Sequence, residues 1–178
     1  HKSDLGEFFL SSDQIGNTYS NVGKMSHIVE QVSQDEMDYF SNIRATIAGH
    51  AIFPARKIDN KMTINGARGV NHKIQDRFDL TLECIRRFYK KENSPLTVVF
   101  ERYSQFFDLF ENFKGYVDFF LYQDLVNEGC SEIKFWHPFD DFQGSSLPSS
   151  LNEYLSYKEK VISFLIKRNQ RIVSLNIE

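Results

Sequence analysis

The chain has 178 residues, 41% apolar and 25% charged, with a net charge of −3 and a pI near 6.0. It is long enough to bury a sizeable single core, too apolar for a disordered segment, and too acidic for broad, non-specific nucleic-acid binding. Seventeen Phe and eight Tyr predict a core built largely from rings. Cys84 and Cys130 stand apart from any CxxC pair. No disulfide framework is expected, and a reducing cytoplasm is the expected location. No apolar run reaches the ~18 residues that span a bilayer, so no membrane partner is expected. The start, HKSDLGEFFL, has no initiator Met and no basic-then-apolar leader. It reads as the middle of a single globular domain, 1–178, from which an N-terminal segment is missing.

In chain order, 7–10 is a short apolar run that predicts a strand or entry segment, and 11–23 is a polar loop. Residues 24–32 predict a short helix. Ser33 with Glu36 three residues later is a capping box, so a helix follows over 34–43. Residues 45–53 (ATIAGHAIF), rich in β-branched and small residues, predict a buried strand stopped by Pro54. Lys61 to Ile64 is its expected hairpin partner. Ile74, Phe78, Leu82, Ile85 and Tyr89 form one helical stripe. Ser94-Pro95 predicts the next helix start. Its aromatic stripe runs from Leu96 to Phe113, with Gly115 as the break. Residues 116–126 (YVDFFLYQDLV) are apolar nearly all round and predict a central helix ended by Gly129. Residues 133–139 read as a strand, and DDFQGSSLPS as a loop. Ser150 and Glu153 form a second capping box, opening a helix to about residue 175 whose apolar face is Leu151, Leu155, Ile162, Leu165 and Ile172. The sum is α+β: a helix-dominated domain with a small, antiparallel sheet.

The runs IFPARKIDNKMTINGARGVNHKIQDRFDLTLECIRRFY, RYSQFFDLFENFKGYVDFFLYQDLV and PFDDF cover most of the chain together. In these runs the sequence resembles a family of uncharacterised bacterial proteins known as a domain of unknown function. The resemblance implies a bacterial origin and a compact domain, and it carries no activity.

The densest candidate chemistry is TINGARG and the helix after it. Gly66 and Gly69 free the backbone around Arg68, whose planar fork suits phosphate or carboxylate. Lys61 and Asn65 sit just upstream. Neither a P-loop nor a GxGxxG pattern is present. Asp76, Asp79, Glu83, Arg86, Arg87 and Lys90 recur at helical spacing, acids first and bases last, as the helix dipole favours. If Asp76, Asp79 and Glu83 turn toward Arg68, they are the candidate general acid–base groups. Lys61, Asn65 and Arg68 are then the candidate ligand-binding residues. The plainer alternative is a turn followed by a solvated helix face.

Asp118 and Asp124 lie in the apolar 116–126 segment and need cationic partners, for which Arg102 or the Arg86–Arg87 pair is expected. Asp140-Asp141 suits a loop-start turn better than a metal ligand. Glu132-Ile133-Lys134 is too short a signal for a nuclease strand. His27, His50, His72 and His137 show no ligand spacing, so no metal site is assigned. Cys84 reads as an inert buried thiol, and Lys167, Arg168 and Arg171 as complements to a helix C-terminus. Two functions remain open. One is a binder or enzyme acting on a phosphate-bearing small molecule or nucleotide, with no cofactor assigned. The other is a non-catalytic protein-interaction module with an aromatic-rich surface, including self-association. Exposure discriminates them: a concave polar pocket favours the first, and a contiguous aromatic patch the second.

Overall fold

Serine caps open two of the helices, as their sequence pattern predicts. The structure is a computed structural model that describes residues 2, 3 and 6–175. A strand pair, β1 (Lys2–Ser3) and β2 (Gly6–Glu7), precedes β3 (Leu10–Gln14). Helices α1 (Ser26–Val29) and α2 (Gln34–Arg44) lead to β4 (His50–Pro54). Then come α3 (Ile64–Val70), α4 (Phe78–Tyr89), α5 (Thr97–Arg102), α6 (Ser104–Asp108), α7 (Phe113–Phe119) and α8 (Leu151–Ser174). The fold is α+β and helix-dominated, with its strands in antiparallel pairs. Ser33 Oγ accepts from Glu36 N, and Ser150 Oγ accepts from Glu153 N at 3.3 Å. Each cap satisfies an N–H that the first helical turn leaves open.

Several elements differ from expectation, each for a local reason. The sheet partner of β4 is β3, with Ser11 opposite Phe53 and Asp13 opposite Ala51. Residues 11–14 therefore lie in a strand where a loop was predicted. Lys61 to Ile64 does not pair with β4; Thr63 caps α3 by accepting from Gly66 N at 3.3 Å. The predicted strand over 45–53 is half 3-10 turn (Ile47–Gly49) and becomes a strand only at His50. Gly49 is required there, because a Cβ would stand 1.9 Å from Arg44 O.

The long aromatic stripe is divided among α5, α6 and α7. The helix expected from Ser94-Pro95 begins at Thr97, with Ser94 Oγ instead receiving Leu96 N at 3.3 Å. Gly115 lies inside α7, where a Cβ would meet Phe110 O at 2.1 Å. The expected central helix over 116–126 stops at Phe119. Leu121 takes a left-handed conformation (φ 59°), and Tyr122 N donates back to Val117 O at 2.9 Å. That is the hydrogen bond of a Schellman ending, formed here without the usual glycine. Residues 133–139 form no strand beyond a single bridge between Val126 and Ile133.

Helix α8 packs against α1, α2 and the 3-10 turns. Its most buried stripe is Tyr154, Tyr157, Val161, Phe164 and Leu165, rotated from the expected aliphatic one. The tyrosines go inward because their hydroxyls find partners: Tyr154 donates to Thr18 O at 2.8 Å, and Tyr157 accepts from Asn17 N at 3.0 Å.

Candidate functional site

The glycine-arginine segment is helix α3, not a loop, and Arg68 points into the protein. Its side chain is fully buried. Nε donates to Thr81 Oγ1 at 3.2 Å, Nη1 to Asp13 Oδ2 at 2.6 Å and Nη2 to the Asp76 carbonyl at 2.9 Å. Asp76 Oδ1 lies 3.9 Å from the same Nη1. Gln75 and Asp76 both adopt positive φ, which turns the chain between α3 and α4 back over Arg68. Asn65, one turn before Arg68, donates to Ser11 Oγ at 3.0 Å. The face of α3 that bears Asn65 and Arg68 thus meets the face of β3 that bears Ser11 and Asp13.

Of the predicted site residues, Asn65, Arg68 and Asp76 come together. Asp13, which patterning alone did not single out, completes the group. The side chains of Asp13 and Asp76 are each 33% exposed. Burial raises the Asp76 carboxyl above its ordinary value; Arg68 opposes this and Asp13 adds to it. Lys61 is exposed, and no hydrogen bond or ion pair joins it to this group.

Asp79 and Glu83 have partners of their own. Asp79 is completely buried, receiving Arg77 through Nε at 3.1 Å and Nη2 at 2.6 Å, and Trp136 N at 2.9 Å. Arg77 also donates to the carbonyls of Ser146 and His137, so this pair ties α4 to the 136–146 segment. Glu83 accepts two bonds from Arg86, at 2.7 and 2.8 Å, and one from Arg87 at 2.7 Å. The acids of α4, Asp79 and Glu83, are therefore an inward framework of ion pairs, while Asp76 lies in the turn before the helix rather than on its face and stays a third exposed. The expected partners of the later acids are corrected too: Asp118 pairs with Lys114, and Asp124 with Arg171. Arg168 is not a solvated helix end. It donates to the carbonyls of Phe120, Ala48 and His50, and its guanidinium lies 4.6 Å from the Tyr122 ring centroid.

Among the described residues no group of three or more His, Cys, Asp or Glu is placed to hold a metal ion, and no helix is long and apolar enough to cross a membrane. The model for a family of unknown function, DUF6994, matches residues 1–172. The chain belongs to DUF6994. No curated protein and no solved structure matches it.

A strongly apolar concavity of this DUF6994 chain lies elsewhere. A cavity of about 420 Å³ runs between the β3–β4 pair and the α6–α7 region, and Phe8, Leu10, Ile52, Phe106, Leu109, Phe110, Phe119 and Phe120 line it. Phe110 links its rings, 5.4 Å from Phe106, 5.0 Å from Phe119 and 5.2 Å from Phe120. Its rim reaches solvent: Phe119 is 68% exposed and Leu10 42%. Beyond Phe8 and Phe106 a second cavity, about 410 Å³, carries Arg56, Lys57 and Arg102 together with the acids Glu7 and Asp59 in its lining. The aromatic count pointed to such a surface; its position depends on β3, which a polar sequence conceals.

Proposed function

We propose that this DUF6994 chain is a non-catalytic interaction module whose aromatic groove receives large apolar side chains of a partner polypeptide. The observation that carries the reading is the groove itself, lined wholly by apolar residues and rimmed by Phe119 and Leu10 in open contact with water. Apolar surface left exposed and contiguous gains free energy when it is covered. The mixed-charge cavity next to it supplies a polar rim, as interfaces commonly have. Both cysteines are free thiols, which fits a reducing bacterial cytoplasm as the working compartment.

The test is selection from a display library of short peptides. Selected peptides are expected to carry two or more large apolar residues and to shift backbone amides at Leu10, Ile52 and Leu109. The variant Phe119→Asp is expected to keep its melting temperature within about a degree, since surface changes usually stay within ±0.5 kcal/mol, and to lose the peptides. Peptides retained by Phe119→Asp, or shifts confined to another face, sink the reading.

A second reading keeps a phosphate-bearing small molecule or nucleotide at Asn65, Arg68 and Asp76. One observation favours it: Asp13 and Asp76, each a third exposed, share one buried arginine, so two carboxylates and a cation meet near the surface, and burial raises the Asp76 carboxyl. Against it, the Nε, Nη1 and Nη2 of Arg68 are each engaged within the fold. A thermal-shift panel of nucleotides, phosphorylated metabolites and divalent metals decides between them; a hit lost in Asp13→Asn and retained in Phe119→Asp favours this second reading.

A further inference from the structure

A smaller cleft, sharing no lining residue with the Arg68 group, collects positive charge on a chain whose net charge is −3. It lies between the Gln123–Leu125 turn, the segment after the Val126–Ile133 bridge, and α8, and its volume is about 240 Å³. Lys160, Ser163, Phe164 and Lys167 reach it from α8 at i, i+3, i+4 and i+7, which is one helix face. Lys134 enters from the opposite wall, and Leu125, Phe135 and Trp136 complete an apolar floor.

The sole carboxylate in the lining is Asp124, and Arg171 already holds it in a two-bond pair at 2.9 and 3.1 Å. The fields of Lys167 and Lys134 also reach Asp124 and help lower its pKa, after Arg171 itself, so these side chains converge on one space. Lys160 Nζ donates to Trp136 O at 3.2 Å. Among the described residues no carboxylate lies within ion-pair distance of Lys134, Lys160 or Lys167. Like charges gathered without counter-charge repel one another, and an anion relieves that cost.

We propose that this cleft binds a small phosphomonoester, its dianion held by Lys134, Lys160 and Lys167 and its organic part against Phe135 and Trp136. Ammonium groups act as compact point charges and suit a phosphate approached from several sides. The volume lies just below the ~300 Å³ lower end of common ligand sites, which limits the organic part to about one ring. The site is independent of the aromatic groove.

Trp136 is the only tryptophan, so its fluorescence reports directly on the cleft. Titration of the intact chain with phenyl phosphate is expected to give a saturable change that inorganic phosphate competes away and added salt weakens. Benzyl alcohol, which has a ring without the charge, is expected to give none. The double variant Lys134→Gln/Lys167→Gln is expected to weaken phenyl phosphate at least tenfold with an unchanged melting temperature. The proposal is overturned if phenyl phosphate gives no saturable change, if benzyl alcohol matches it, or if the double variant binds equally well. Phosphate-monoester headgroups of a membrane offer the same chemistry. Co-sedimentation with phosphatidic acid vesicles, without a response to soluble phenyl phosphate, would also overturn the small-ligand assignment.

Discussion

Arg68 illustrates how one side chain changes meaning between sequence and structure. Flanked by glycines it reads as an anion-binding fork; folded, it bridges β3, α4 and the turn between α3 and α4 through Asp13, Thr81 and the Asp76 carbonyl. Arg68→Ala leaves Asp13 Oδ2 and the Asp76 carbonyl without the donors Arg68 supplies, while Asp13 Oδ1 keeps Gln14 N. Breaking such a pair costs ~3–5 kcal/mol when both partners are buried, and Asp13, a third exposed, puts this one at the lower end. A clear fall in melting temperature is expected; an unchanged value would return Arg68 to the ligand-binding role. Asp76 carries a prediction of opposite sign. Its carboxyl is raised by burial, so the native state binds that proton more tightly than the unfolded chain does. Its ionised form therefore costs stability at neutral pH, and that cost disappears as pH falls through the raised value. Asp76→Asn, which also tolerates the positive φ, is expected to match or exceed the parent melting temperature at neutral pH. The margin should close in acid. A lower melting temperature for the variant at neutral pH would mean that attraction to Arg68 outweighs burial.

At the scale of elements, the features read correctly were those written in a few adjacent residues. Ser33 with Glu36, and Ser150 with Glu153, cap their own helices and need no distant partner. β3 failed to show because its inward positions are Ser11 and Asp13, whose burial makes sense only opposite Asn65 and Arg68. A strand with polar residues on its inner face has no apolar alternation to read. The break after α7 was equally hidden, since Leu121 occupies a left-handed position that glycine usually marks. Helix α8 is tied to its surroundings by Arg168, which supplies donors to three carbonyls on two other segments. Arg168→Ala strands those acceptors, each worth ~1–3 kcal/mol when left unpaired, so a loss of at least about 3 kcal/mol is expected in urea unfolding. Arg168→Lys should recover little of it, because one ammonium cannot reproduce the fork. Full recovery by lysine would show that charge rather than geometry is what matters there.

For the molecule as a whole, one core joins the aromatic helices to α8, and Cys84 sits inside it. Burial pushes the Cys84 thiol up to about 12, with a hydrogen bond from Ser94 opposing, so little of it is reactive thiolate. Cys130 is half-buried near the surface. In a thiol-labelling time course Cys130 is expected to react in the native protein. Cys84 should become reactive only along the same urea transition as the circular dichroism signal. Reaction of Cys84 at the pace of Cys130 would reveal local opening between α4 and α5 instead.

By itself the sequence determined the helix-dominated α+β class, the capped starts of α2 and α8, a core rich in rings, and membership of a family recognisable along nearly the whole chain. These depend on composition and on spacings of a few residues, which the chain carries whether folded or not. Only the tertiary structure decided which charges face inward, that Arg68, Asp79 and Glu83 have partners within the framework, and where the aromatic groove and the lysine cleft lie. The reason is physical: an ion pair or a cavity belongs to residues far apart in the chain, and no local pattern says which will meet.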